Sequence, residues 1–366
     1  MTIIKYARKG GGMQKRIAVF TGGGTGGHIY PNLALIPDFI EAGFSPVYIG
    51  GSGDTQERRL AKLDSIPYFA VPTVKFSRAF SIEGIKNNLT IPHTLSKGVK
   101  EAKAVLENLS PAFVFSKGGF VSLPVVIAAR KLGIPVFAHE SDRTLGLANK
   151  VARAYGATIL KGNPTATFDG EMVGIPLRKE LFGISKQQAV KNLDLADKNP
   201  NKKKVLLILG GSSGAQIFND FARYKMNVLT HKYFVLHVTG KGKNKQLSHE
   251  NYLTFDYADN IADFYAASDV VLSRAGATAV AEISALKKHA VFVPLPKGTS
   301  RGDQIFNGEL AKEFGAQVTP QIDDEKTLFD NIMFAIDKAA KNPPMRAISS
   351  DTNGKIVKLV CDSLTS

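Results

Sequence analysis

A glycine-rich turn near the start of the chain has the residue types needed for chemistry. Residues 20–35 read FTGGGTGGHIYPNLAL, with five glycines among the six positions 22–27, after a short apolar segment. A turn of this kind before a helix exposes backbone N–H groups at the positive end of the helix dipole, where a diphosphate binds well. The imidazole of His28 follows directly and is suited to exchange a proton with a hydroxyl.

The turn departs from two common nucleotide-binding patterns. Gly22, Gly24 and Gly27 match G-x-G-x-x-G, but the next apolar segment ends in VYIGG, without the carboxylate that holds a ribose in dinucleotide sites. A P-loop needs a lysine where this chain has His28. Both readings therefore fail, and only a general diphosphate cradle is predicted.

The second half of the chain contains further polar turns of this kind. GGSSGAQ at 210–216 adds serine hydroxyls, and SRAGATAVAEI at 273–283 places the carboxylate of Glu282 about two turns into a helix, where it suits a ribose. SRGDQIFNGELA at 300–311 is another polar turn that opens a helix. His139 and Glu140 end an apolar segment in the first half. Together these turns predict an enzyme that acts on a nucleotide sugar.

Apolar segments alternate with helical patterns along the whole chain, which is typical of doubly wound α/β structure. The predicted strands are 16–20, 46–50, 113–116, 134–140 and 157–160 in the first half, and 204–210, 233–240, 269–276 and 290–295 in the second. Helices are predicted at 30–43 and 123–133, each closed by a glycine.

The order of strand, glycine turn and helix occurs twice, at residues 15–35 and 203–222. We therefore expect two Rossmann-like domains that face each other across a cleft. The expected boundaries are a disordered extension over 1–12, an N-terminal domain over 13–177, a C-terminal domain over 178–345 and a terminal helix over 346–366.

Composition narrows the possible classes of protein. The formal net charge is +15, which favours phosphate-containing or anionic partners. The single cysteine, Cys361, allows no disulfide within the chain and suits a reducing compartment. There is no apolar run of about 18 residues. No H-E-x-x-H, C-x-x-C or clustered-histidine pattern occurs, so neither a metal nor a cofactor is predicted.

Six motifs carry a resemblance to a known family. They are TGGGTGGHIYPNLAL (21–35), SKGGFVSLPVVIAA (116–129), HESDRTLGLANK (139–150), LGGSSGA (209–215), SRAGATAVAE (273–282) and GDQIFN (302–307). In this order they resemble the MurG family of bacterial N-acetylglucosaminyltransferases, and SKGGFVS and HESD are similar to its Gram-positive branch.

The resemblance implies a GT-B fold whose C-terminal helix packs back on the first domain. It implies inverting transfer of GlcNAc from UDP-GlcNAc to the C4 hydroxyl of MurNAc in lipid I, which gives lipid II and UDP. The implied location is the cytoplasmic face of the cell membrane, where the enzyme would be peripheral. Other cell-wall and division proteins are possible partners.

The resemblance also implies roles for individual residues. Arg178 and Ser212 match positions that hold the diphosphate, Glu282 matches the ribose ligand and Gln304 matches a contact to the GlcNAc hydroxyls. The remaining matches are Ala277, Thr278, Ala279, Val280 and Ala281, which approach the nucleotide by backbone, Ala258, which lies near the uracil, and Thr25, Gly26 and Gly27, which close on the substrate phosphates.

The general base is left open between three residues. His28 is the first candidate, and Glu140 and Asp142 are its rivals. Many family members read HEQN where this chain has HESD, so Asp142 replaces an asparagine of the site, and Ser213 stands where glutamine is common. These departures leave the fold prediction unchanged. They leave open which polar contacts Asp142 and Ser213 make in the site.

Residues 74–103 interleave six Lys or Arg residues with apolar side chains, which suits an anionic membrane surface. A loop and helix that pack on the first domain would also explain this segment.

Several alternatives remain. A diacylglycerol glycosyltransferase or a non-hydrolysing UDP-GlcNAc 2-epimerase would share the fold, and only the epimerase would need no lipid acceptor. Nucleic-acid binding is favoured by charge alone, because no recognition motif accompanies it, so no nucleic acid is predicted as a partner. A non-catalytic scaffold is disfavoured by the intact glycine turns.

Overall fold

The computed structural model describes residues 16–73, 91–199, 202–211, 214–243, 249–298, 302–349 and 351–365. Elements are numbered below in chain order over these residues. They form two parallel sheets, each covered by helices on both faces.

The first sheet has seven parallel strands. They are β1 (Arg16–Thr21), β2 (Phe44–Gly51), β3 (Tyr68–Val71), β4 (Phe113–Ser116), β5 (Val136–Glu140), β6 (Thr158–Lys161) and β7 (Glu171–Met172), in the spatial order β3-β2-β1-β4-β5-β6-β7. Val19 of β1 lies opposite Val47 of β2 and Val114 of β4, so β-branched side chains are neighbours across the three central strands.

The second sheet has six parallel strands. They are β8 (Lys204–Leu209), β9 (Tyr233–Val238), β10 (Tyr252–Phe255), β11 (Val270–Ser273), β12 (His289–Phe292) and β13 (Gln317–Val318), in the order β10-β9-β8-β11-β12-β13. This order repeats the pattern of the first sheet, with a new strand added on the other side after the third.

The helices cover these sheets or connect their strands. They are α1 (Gly26–Glu41), α2 (Gln56–Leu63), α3 (Ile91–Leu109), α4 (Leu123–Lys131), α5 (Leu147–Ala154), α6 (Lys186–Asn192), α7 (Gln216–Tyr224), α8 (Met226–Lys232), α9 (Ile261–Ala267), α10 (Ala277–Ala285), α11 (Asp303–Glu313), α12 (Glu325–Ala339) and α13 (Thr352–Ser363). Two short 3-10 turns lie at Phe120–Ser122 and Lys179–Leu181.

Alternating strand residues build a separate core on each face of a sheet. On β1, Val19 belongs to one buried cluster and Phe20 to the other. The second cluster is aromatic, and the rings of Phe20 and Phe39 meet edge to face with centroids 5.7 Å apart. Strands buried on both faces have continuous apolar sequences, which explains why RIAVF and VLLIL were recognisable as strands.

Helix α13 at the end of the chain returns to the first domain. Its fully buried Ile356 and Val360 join the aromatic cluster formed by β1 and α1. Asn353 donates to the carbonyl of Ala34, 3.0 Å away, and to the carboxylate of Asp38, 2.9 Å away. The last helix therefore completes the core of the N-terminal domain, although the second domain precedes it in sequence.

Candidate active site

The three predicted glycine loops, which follow β1, β8 and β11, lie where each sheet reverses its strand order. In the first sheet, the loops after β1 and β4 are neighbours at this point, and the backbone N–H of Lys117 donates to the carbonyl of Thr21 at 2.9 Å. In the second sheet, the loops after β8 and β11 occupy the equivalent position. Ligands of open α/β sheets bind at such points, beyond the carboxyl ends of the strands.

The glycines of the first loop serve two different purposes. Gly22 and Gly24 have φ angles of +149° and +83°, and an added Cβ would lie 2.7 Å from the His28 carbonyl oxygen and 2.6 Å from the Phe120 ring, respectively. Protein contacts therefore require these two glycines. At Gly27, an added Cβ would find no atom nearer than Thr25 Oγ1 at 4.0 Å. The space above Gly27 is open to a ligand.

His28 lies in the first turn of α1 and is half-buried. Its Nδ1 is 3.1 Å from Thr25 Oγ1 and 3.3 Å from the carbonyl oxygen of Gly23. A carbonyl only accepts, so the tautomer with hydrogen on Nδ1 satisfies that contact and makes Nε2 the basic nitrogen. This arrangement suits a general base.

The loop after β5 is organised by Glu140. This buried carboxylate accepts from the backbone N–H of Asp142 at 3.2 Å and of Gly146 at 2.8 Å, and from Asn149 Nδ2 at 3.0 Å. A carboxylate with three donors is held as a structural acceptor. Asp142, which is half-buried, is the more accessible of the two acids.

Lys117, directly after β4, was not among the predicted site residues. It is only 2% exposed, and its ammonium donates to Ser141 Oγ at 2.9 Å. Burial lowers the pKa of Lys117, and the charges of Glu140 and Asp142 oppose that shift. Burial, together with the charge of Lys117, holds the pKa of His139 well below its usual range, and His139 Nε2–H donates to the Gly174 carbonyl at 2.7 Å.

On the other side, Arg178 and Glu282 are in direct contact. Arg178 Nη2 lies 3.2 Å from Glu282 Oε1, and the hydroxyl of Tyr265 donates to Glu282 Oε2 at 3.1 Å. Burial raises the pKa of Glu282, whereas Arg178 and Tyr265 lower it. The predicted phosphate ligand and the predicted ribose ligand are thus partners of each other.

The other residues that were predicted to bind the donor lie in separate segments of the second domain. Ala277 to Ala281 form the first part of α10, after the N-cap Gly276, and Ala258 packs half-buried against the domain core after β10. Gln304 is the second residue of α11, and its Oε1 accepts from the backbone N–H of Leu295 at 3.0 Å. Ser212 and Ser213 lie outside the described residues.

Contacts across the cleft join the predicted acceptor side, in the first domain, to the predicted donor side, in the second domain. Tyr30 of α1 forms a hydrogen bond with Tyr257, and its ring lies 5.0 Å from the Arg178 guanidinium carbon. The Arg143 guanidinium carbon is 4.3 Å from the centre of the Phe306 ring. Since Arg143 follows Asp142 and Phe306 follows Gln304 closely, the acceptor-side loop faces the start of α11. These aromatic and cationic partners were not predicted, because 227 residues separate Tyr30 from Tyr257.

Among the residues that the structure describes, no group of three or more His, Cys, Asp or Glu side chains could hold a metal ion. The same part of the chain contains no helix that is long and apolar enough to cross a membrane.

Two parallel-sheet domains with phosphate-suited loops at a shared cleft define a glycosyltransferase of the GT-B class. The family profile of the glycosyltransferase family 28 N-terminal domain matches residues 18–160, and that of the C-terminal domain matches residues 205–360. The chain belongs to glycosyltransferase family 28.

Similar proteins agree with this assignment. A protein of Clostridium botulinum (strain Alaska E43) named UDP-N-acetylglucosamine--N-acetylmuramyl-(pentapeptide) pyrophosphoryl-undecaprenol N-acetylglucosamine transferase is 38% identical over 336 residues, which are 88% of this chain and 90% of that protein. A protein of the same name from Clostridium perfringens (strain SM101) is 36% identical, over 90% of this chain and 92% of its own length.

Solved structures show the same fold. The crystal structure of Acinetobacter baumannii MurG superposes with a TM-score of 0.66 at 20% identity, over 95% of this chain and 99% of that one. Arabidopsis thaliana UGT89C1 complexed with UDP gives a TM-score of 0.60 at 13% identity, over 96% and 95% of the two chains.

Proposed function

We propose that this chain transfers GlcNAc from UDP-GlcNAc to the C4 hydroxyl of MurNAc in lipid I, with inversion, and releases lipid II and UDP. The observation that carries the proposal is the 38% identity, over 88% of this chain, to a transferase named for that donor and acceptor. The likeness spans both domains, so it includes both walls of the cleft.

The second domain holds the donor in this proposal. Arg178 neutralises the diphosphate, and Glu282 accepts hydrogen bonds from the ribose hydroxyls. The N-terminus of α10, at Ala277 to Ala281, presents backbone N–H groups and its positive dipole end to the nucleotide. Gln304 binds the GlcNAc hydroxyls, Ala258 lies beside the uracil and Ser212 adds a hydroxyl to the diphosphate. As the bond to UDP breaks, Arg178 and the helix dipole stabilise the developing charge.

The first domain holds the acceptor and supplies the base. The acceptor hydroxyl attacks the anomeric carbon from the face opposite UDP, so its proton must pass to a protein group. His28 is the proposed base, since its Nδ1 contact with the Gly23 carbonyl leaves Nε2 as the basic atom. The three hydrogen bonds to Glu140 favour a positioning role for that residue. Asp142 remains the second candidate, while Thr25, Gly26 and Gly27 approach the substrate phosphates.

Association with the cytoplasmic face of the membrane is part of the proposal, because the acceptor is a lipid. Residues 74–90 of the predicted basic and apolar segment lie outside the described residues. Helix α3 exposes Lys97, Lys100 and Lys103, the last of them paired with Glu107 at 3.5 Å, and buries Gly98, Ala102 and Leu106 on the other side. An exposed row of lysines is attracted to anionic lipid. Sedimentation with anionic vesicles, but not with neutral ones, would support this part.

Release of UDP from UDP-GlcNAc tests the proposed reaction. We expect release only when a short-chain lipid I analogue is present, and little release from UDP-glucose as the control donor. Conversion of UDP-GlcNAc into another UDP-sugar without any acceptor, and without net release of UDP, would instead favour an epimerase, and transfer to diacylglycerol would favour the other lipid glycosyltransferase.

A further inference from the structure

Lys117 is a buried cation that neither the resemblance nor the proposed reaction assigns to a role. Its side chain is 2% exposed, and its ammonium donates to Ser141 Oγ at 2.9 Å. A buried ammonium is costly unless hydrogen bonds and opposite charges compensate for it. Two carboxylates, Glu140 and Asp142, act on it electrostatically. The lysine is therefore held in the wall of the cleft by the same loop that carries a candidate base.

The main chain of Lys117 contacts the other candidate loop. Its N–H donates to the Thr21 carbonyl at 2.9 Å, and its Cβ would lie 3.1 Å from a Cβ added at Gly22. Gly119, two residues later, also approaches this loop, because a Cβ there would be 2.5 Å from the Gly23 carbonyl oxygen and 3.0 Å from His28 Nδ1. Lys117 thus joins the glycine loop, through its backbone, to the loop after β5, through its side chain.

We propose that Lys117 is a positioning residue, whose buried ammonium keeps Asp142 ionised and fixes the loop after β5 beside the glycine loop. The part of this inference that concerns the transfer rests on the proposed function. An ammonium near a carboxylate favours its charged form. Without that charge, Asp142 would lie in a partly buried loop without this nearby cation, and its protonation would extend to higher pH.

The other charged groups around this loop do not replace Lys117. His139 lies on β5, and burial together with Lys117 keeps it neutral. The guanidinium of Arg143 lies against the Phe306 ring of the second domain. Glu140 is bound to the backbone of its own loop. His28 approaches from the glycine loop, where its Nδ1 would lie 3.0 Å from a Cβ added at Gly119.

The test is a carboxyl titration of the full-length protein labelled with ¹³C at the aspartate side chains. The Asp142 signal is assigned by its loss in Asp142→Asn. We expect Lys117→Met, and Lys117→Gln as a second neutral variant, to raise the titration midpoint of Asp142 by at least about one pH unit. Lys150→Met removes an exposed charge from nearby α5 and should leave the midpoint unchanged. Ser141→Ala keeps the ammonium and should shift the midpoint much less than Lys117→Met.

Equal midpoints in wild type and in either folded neutral variant would overturn the proposal, as would equal shifts in Ser141→Ala and Lys117→Met. The pH profile of kcat/KM is recorded in parallel, and its acidic limb should move upward in Lys117→Met while UDP affinity stays within about twofold. A wild-type protein without lipid I transfer but with the expected NMR shift would reject the proposed function and keep the electrostatic role of Lys117. Transfer in the wild type with no NMR shift in the variants would support the proposed function and reject the electrostatic role of Lys117.

Discussion

Arg178 Nη2 lies 3.2 Å from Glu282 Oε1, which ties the segment between the domains to the helix that faces the cleft. Tyr265 donates to the second oxygen of the same carboxylate. A donor that uses both residues must share or displace these bonds. In the proposed reaction this pair prepares the site, because the proposed positive group for the diphosphate and the proposed acceptor for the ribose are fixed side by side before the donor arrives.

Replacing Glu282 by Gln should weaken donor binding more than it slows the chemical step. The amide keeps one acceptor but removes the charge opposite Arg178, so we expect UDP affinity to fall by about tenfold, near 1.4 kcal/mol. Calorimetric titration with UDP measures this loss. Glu180→Gln, an exposed change in the same segment, is the control. Wild-type UDP affinity in Glu282→Gln would show that this carboxylate does not hold the ribose.

Two glycine substitutions should separate folding from ligand binding in the first loop. Gly22→Ala places a Cβ 2.7 Å from the His28 carbonyl oxygen at a φ of +149°, so it should lower stability by more than about 1 kcal/mol. Gly27→Ala meets open space in the first turn of α1 and should leave the melting temperature unchanged. It should nevertheless reduce transfer by at least about tenfold, because a methyl group would enter the space proposed for a phosphate. Full activity in folded Gly27→Ala would contradict this assignment.

Stability should fall in mild acid because of His237. Burial lowers its pKa from 6.5 to about 4, and its Nδ1 bonds to the Tyr252 hydroxyl at 2.6 Å. Since the unfolded state binds the proton more tightly, the stabilisation is complete above pH 6.5 and is lost as the pH falls from 6.5 towards 4. The loss from this group is at most about 3 kcal/mol.

Denaturant unfolding at several pH values measures that slope. His237→Gln is neutral throughout and should flatten it, whereas His231→Gln, at an exposed position, should not. An unchanged slope in His237→Gln would assign the acid sensitivity to other groups.

Packing of the last helix should be essential to the stability of the first domain. Ile356 is fully buried against the aromatic cluster, so Ile356→Ala should cost about 2–5 kcal/mol. Lys355→Ala, on the exposed side of α13, should have little effect. Hydrogen exchange would locate the loss, and we expect faster exchange in β1 and α1. Faster exchange confined to the second domain would be inconsistent with this packing.

The central strands were predictable from the sequence, whereas the edges were not. RIAVF and FVFS coincide with β1 and β4 within one residue, because strands buried on both faces are apolar throughout. The edge strands β3, β7, β10 and β13 were missed, since β7 and β13 have only two residues, and β3 and β10 are apolar runs of only four residues. The GT-B class followed from the motifs and the repeated order of elements, and the domain boundaries stay predictions.

Only those site residues that stand in a local sequence motif could be predicted. His28 and Glu282 lie in helices that follow recognisable glycine turns, so their sequence context was sufficient to nominate them. Lys117 gave no such signal, because a lysine beside two glycines looks like a solvated loop, and its burial depends on Ser141, 24 residues later. Tyr30 and Tyr257 meet only after both domains have folded.

The anomeric linkage of the lipid product tests the central claim most directly. The protein is incubated with UDP-GlcNAc and a short-chain lipid I analogue, and the product is examined by mass spectrometry and proton NMR. The account predicts the addition of one N-acetylhexosamine in β linkage to O4 of MurNAc. An α linkage, attachment elsewhere, or no addition to the lipid would contradict it.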